Sequence, residues 1–136
     1  MKIARTISEL KENLKEFNGT IGYVPTMGAL HRGHLSLIEN SKKDNDFTVV
    51  SIFVNPTQFL PGEDFEKYPK NQEADTRICE VAEVDLLFLP SVDEIYKKNE
   101  TTIKANEKLN SVLEGAFRPG HFDGVCRVLN KFFNLI

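Results

Sequence analysis

Apolar residues at Ile7, Leu10, Leu14 and Phe17 recur at the spacing of one helix face, behind a Thr6–Glu9 pair spaced as a capping box. Gly19 marks a stop for this first helix. The β-branched and aromatic run over 20–24 predicts a buried strand. Leu35, Leu37 and Ile38 then return at helical spacing and predict a helix to about Lys43. After a polar Asp44-Asn45-Asp46 loop, the continuous apolar run over 47–54 predicts the clearest buried strand of the chain. Residues 55–70 are punctuated by Pro56, Pro61-Gly62 and Pro69 and read as a long functional loop. Asn71 caps a predicted helix reaching about Ala82, residues 85–90 read as a strand, and 91–96 as a short helix. Beyond them we expect a strand over 101–105, a short helix over 108–116 and a turn over 118–122. A final helix over 123–136 is expected to turn Val125, Leu129, Phe132, Phe133 and Ile136 inward.

Alternating strands and helices predict an α/β fold with a mainly parallel, Rossmann-like sheet, whose ligands bind at the carboxyl ends of the strands. The length of 136 residues and a hydrophobic content of 40%, with ten phenylalanines, suit one modest domain with a real core. Lys+Arg 17 against Asp+Glu 20 gives a net charge of -3, which offers no electrostatic footprint for nucleic acid. No apolar run has transmembrane length and no leader pattern opens the chain, so no membrane partner is expected and a cytoplasmic location is the default. Cys79 and Cys126 sit beside apolar neighbours in helical stretches and are expected to be buried free thiols. With no G-x-G-x-x-G, a dinucleotide cofactor is disfavoured.

The candidate chemistry lies at 25–34, PTMGALHRGH, where the chain passes from strand to helix. His31 and His34 stand at i and i+3 on one face of the first turn. Gly33 between them lets a ligand approach the backbone. Unpaired N–H groups and the positive end of the helix dipole favour phosphate there. A nucleoside triphosphate is the economical ligand. A metal site and a pair of ordinary polar residues are the alternatives, although helical metal pairs are usually i,i+4. HxGH occurs across the nucleotidyltransferase superfamily that carries this motif.

Three segments in order, PTMGALHRGH at 25–34, SIFVNPTQF at 51–59 and LEGAFRPGHFDGV at 113–125, resemble the pantothenate synthetase family. Another HxGH nucleotidyltransferase would leave the last two segments unexplained. The resemblance implies ATP-dependent ligation of pantoate and β-alanine through a pantoyl adenylate, with Mg²⁺ accompanying ATP. It implies that His31 and His34 hold the triphosphate and act in catalysis, with Gly33 close to the nucleotide and Met27 over the substrates. Asn55, Gln58 and His121 would bind pantoate, with Arg118 a weaker candidate, and Asp75 matches an acidic position associated with the metal. A solvated helix carboxylate is the other reading of Asp75.

Arg32 stands where glutamate is frequent in the family, and Arg127 where threonine is expected. Family members continue into a lysine-aspartate-glutamine segment, a serine-arginine loop and a C-terminal domain. Residues 1–136 are therefore expected to form a truncated amino-terminal domain for nucleotide and pantoate, part of a homodimer when full length. A substrate-binding fragment without turnover is the competing expectation.

Overall fold

The computed structural model describes residues 1–56, 71–96 and 121–136; the side chains of residues 121 and 122 lie outside that description. Residues 57–70 of the loop expected over 55–70, the strand at 101–105, the helix at 108–116, and the candidates Gln58 and Arg118 also fall outside it.

The described residues form β1 (Lys2–Ala4), α1 (Ile7–Lys15), β2 (Ile21–Thr26), α2 (Arg32–Asp44), β3 (Phe47–Ile52), α3 (Gln72–Val81), β4 (Leu86–Phe88), α4 (Val92–Ile95) and α5 (His121–Leu135). The four strands make one sheet in the order β1-β4-β3-β2, and every described pairing is parallel. A parallel sheet must be covered on both faces, and successive side chains here alternate between two cores. Val49, Phe53, Leu86 and Phe88 face α1 and α5, where they meet Leu10, Val128 and Phe132. Val50, Ile52, Leu87 and Leu89 face the opposite side and pack with Ile38 of α2 and Cys79 of α3.

Helix starts follow their caps. Thr6 and Glu9 form the reciprocal capping box, Asn71 accepts the Ala74 N–H at 3.1 Å, and Ser91 accepts the Glu94 N–H at 3.2 Å. α2 lies tightly on β2 because Gly22 leaves room for Ser41: a Cβ at Gly22 would stand 1.9 Å from Ser41 Oγ. That hydroxyl is paired with Thr48 Oγ1 at 2.8 Å.

The structure corrects several expectations. β1 was not predicted; it is three residues long, buries Ala4, and takes its register from β4 rather than from any periodicity of its own. β2 continues through Pro25 to Thr26, and β3 stops at Ile52. Phe133 is 64% exposed, since Val128 and Phe132 carry the inward face of α5. The final helix begins at His121, so His121 and Phe122 belong to a helix rather than a turn. Cys79 is buried as expected, while Cys126 is half-buried; both are free thiols.

Candidate active site

The site is assembled where β2 hands over to α2. Thr26 Oγ1 donates to Ser51 O at 2.9 Å and accepts the Gly28 N–H at 3.2 Å, tying the end of β2 to β3. The chain then reverses through two left-handed residues, Gly28 (φ +87°) and Ala29 (φ +53°). A side chain at Gly28 would press on Asp75 Oδ2 at 3.0 Å and Ile52 Cγ2 at 3.2 Å, and its φ of +87° favours glycine.

His31 is the N-cap of α2. Its Nδ1 accepts the Gly33 N–H at 3.0 Å, and the Nδ1 of His34 accepts the His31 N–H at 3.2 Å. The two imidazoles thus make a reciprocal cap, with ring centroids 4.1 Å apart. A ring nitrogen that accepts a hydrogen bond carries no proton, so each neutral ring bears its proton on Nε2. Burial and, after it, the neighbouring His31 hold the His34 pKa below the usual histidine value, against an opposing pull from Asp75. Near neutral pH His34 is a neutral Nε2–H donor.

Gly33 has a structural task besides the ligand approach its spacing suggests. A Cβ there would stand 2.8 Å from His31 Cε1 and 3.0 Å from His31 Nδ1. Its bareness admits the His31 ring over the helix end. The N–H groups of His31 and Gly33 are also already paired, so the donors this helix end offers an anion include the imidazole Nε2–H groups. They stand at the positive end of the helix dipole.

Asn55 lies just beyond β3 and is 1% exposed. Its Nδ2 donates to Gly124 O at 3.0 Å and its Oδ1 accepts the Tyr96 hydroxyl at 2.6 Å. The amide thus joins the end of β3 to the segment after α4 and to the first turn of α5. Arg127 is half-buried and its guanidinium sits 4.7 Å from the centre of the Tyr96 ring, a cation–π contact. Tyr96 carries no motif that would have marked it in sequence.

A cavity of about 500 Å³ brings these groups together. Met27, His31, His34 and Asn55 line it with Phe53, Val125, Leu129 and Phe132. Gly33 is outside that lining. On the other side of Met27 and Gly28, a smaller cavity of about 200 Å³ is bordered by Asn71, Gln72, Asp75 and Ser91.

Asp75 is 4% exposed, which corrects the solvated reading of this carboxylate. Its Oδ2 accepts the Ala29 N–H and its Oδ1 the Leu30 N–H, both at 2.9 Å. Four residues on, burial and the Asp75 charge push the Cys79 thiol up to about 11, which makes it a poor nucleophile at neutral pH. Among the described residues, no three His, Cys, Asp or Glu side chains converge as a metal site.

A doubly wound parallel sheet with an HxGH turn at the carboxyl ends of its strands defines an α/β domain of the nucleotidyltransferase-like type. Residues 2–136 match the family described as pantoate-beta-alanine ligase, and the chain belongs to that family. The pantothenate synthetase of Campylobacter fetus subsp. fetus is 59% identical over 136 residues, all of this chain and 50% of that protein. The crystal structure of the pantothenate synthetase from Thermus thermophilus has a TM-score of 0.94 at 46% identity, covering 100% of this chain and 49% of that one. A pantoate-beta-alanine ligase from Francisella tularensis, crystallised with beta-gamma ATP and β-alanine, has a TM-score of 0.94 at 42% identity, over 99% of this chain and 53% of its own. The chain spans about half the length of the relatives it matches. Among the described residues no helix is long and apolar enough to cross a membrane.

Proposed function

We propose that residues 1–136 form the ATP- and pantoate-binding part of a ligase that joins pantoate to β-alanine. The observation that carries this reading is the paired imidazole cap of α2, which faces the same cavity as Met27 and Asn55. Family membership and the ligand-bound Francisella relative support it.

In this reading a carboxylate oxygen of pantoate attacks the α-phosphorus of ATP. The bond from that phosphorus to the bridging oxygen breaks, and pyrophosphate leaves with the electron pair. The β-alanine amine then attacks the acyl carbon of the pantoyl adenylate, AMP departs, and the amine proton passes to the medium. Two anions must meet in line, so the protein's work is alignment and charge stabilisation. His31 and His34 donate from Nε2 to phosphate oxygens, which makes them the catalytic pair. Met27 packs over the substrates, Gly33 lets His31 take its position, and Asn55 marks the pantoate end of the cavity. Gln58 and His121 complete the pantoate site on the strength of the family resemblance.

Mg²⁺ bound with ATP would supply further charge neutralisation. The described residues do not fit a protein-held magnesium. The ion demands near-octahedral oxygen coordination, whereas Asp75 is buried with a backbone N–H on each oxygen, and among the described residues it joins no group of three His, Cys, Asp or Glu side chains. In the whole protein we expect a homodimer working in the cytoplasm.

Pantoate-dependent ATP–pyrophosphate exchange by the chain, beside its His34→Ala variant, tests the reaction. Exchange that needs pantoate and vanishes in the variant supports adenylation by these residues. ATP binding without exchange favours the second reading, a substrate-binding half whose turnover needs more than these 136 residues, as the half-length match to relatives suggests.

A further inference from the structure

The buried carboxylate of Asp75 has no reason to stand in an α/β core unless something there needs it. Unpaired burial of a charge is strongly unfavourable, and α3 places Asp75 one turn from Cys79, on the stripe that packs against the sheet. Both oxygens are committed to the turn that precedes His31. That turn includes Ala29 at φ +53°, a left-handed conformation that is costly for an L-residue. Two charge-assisted hydrogen bonds offset such a cost.

We propose that Asp75 is a positioning residue: its carboxylate clamps the left-handed Ala29–Leu30 turn and thereby sets where His31 and His34 present their Nε2–H groups. The inference rests on reading that pair as the phosphate-binding site. It gives Asp75 a task other than holding a metal. The path is short and covalent, since Leu30 is followed directly by the N-cap His31. The other anchor of the turn, Thr26 Oγ1 on the Gly28 N–H, holds only its strand end. Without Asp75 nothing described here fixes the N–H groups of Ala29 and Leu30.

The test combines amide hydrogen exchange with calorimetric titration of ATP, in Mg²⁺ and in EDTA, on the 136-residue chain. Ala29 is exposed to solvent, so slow exchange of its amide in the unaltered chain reports the clamp directly; fast exchange overturns the proposal even if no variant folds. In Asp75→Asn, which keeps the shape and removes one acceptor, the amides of Ala29 and Leu30 lose protection. ATP binding weakens roughly tenfold in Mg²⁺ and in EDTA alike. Ala29→Gly in that background restores part of the affinity, because glycine adopts positive φ without the clamp. A loss confined to Mg²⁺, or unchanged ATP affinity in a folded Asp75→Asn chain, contradicts the proposal. Should the unaltered chain bind no ATP under either condition, the reading of the site fails, while the exchange result still decides whether the clamp exists.

Discussion

The Nδ1 of His34 accepts the backbone N–H of His31 at 3.2 Å, so one histidine of the motif holds the other at the head of α2. This bond exists only while Nδ1 of His34 is unprotonated, which couples the order of the motif to pH. The folded-state pKa of His34 is lowered, by burial first and His31 second, so the unfolded chain binds more protons than the folded one in the interval below histidine's ordinary value. Stability from this group is fully present above pH about 6.5 and is lost as pH falls through the folded-state pKa. Urea unfolding at pH 7.5 and 5.5 should show a loss at the lower pH that shrinks in His34→Ala. Asp46 and Glu9, whose pKa values are lowered by hydrogen bonds to Thr20 and to Arg5 respectively, act further down the scale and leave this window clear.

Capping by His31 is separable from the phosphate binding proposed for it. Asparagine is a strong N-cap residue, so His31→Asn keeps an acceptor for the Gly33 N–H and should change stability by less than about 0.5 kcal/mol. It removes the Nε2–H donor, and ATP affinity should fall roughly tenfold, the size expected for a lost hydrogen bond to a charged group. Calorimetry for binding and a thermal melt for stability, run on one preparation, check both halves.

Gly22 is fixed by packing. Its missing side chain admits Ser41, whose hydroxyl is bound to Thr48 between α2 and β3. Gly22→Ala should destabilise the chain by about 1–3 kcal/mol, the usual cost of overpacking. Measured by urea denaturation, the loss should come with an unchanged m-value.

Much of this architecture was legible in the sequence because its signals are local. The Thr6–Glu9 box, the Asn71 and Ser91 caps and the apolar run of β3 each name an element without outside help. β1 was hidden because three residues, with Lys2 and Ile3 exposed, carry no period. Phe133 misled because an apolar residue beside an inward one need not itself be buried. The histidines announced themselves through spacing, but the packing constraint on Gly33 did not, since it comes from the ring of His31. Asp75 offered one overlooked signal: an acid four residues before Cys79, on an apolar stripe, requires a buried partner.

Glu83 follows α3 in the left-handed region at φ +58°, with the Val84 N–H returning to Cys79 O at 3.1 Å. This is the position helices commonly give to glycine. Its salt bridge to Lys42, at 3.6 Å, is exposed and contributes little. Glu83→Gly should raise stability by about 1 kcal/mol, read as a higher Tm in calorimetry.

We propose that His31 and His34, as Nδ1-accepting, Nε2-donating rings, receive the phosphates of ATP. Long-range 1H–15N correlation spectra of the imidazoles at pH 7.5, recorded before and after adding ATP, test it most directly. Both rings should carry their proton on Nε2 in the free chain, and both Nε2–H signals should move saturably with ATP. Protons found on Nδ1, or Nε2 signals that stay fixed through an ATP titration, would contradict it.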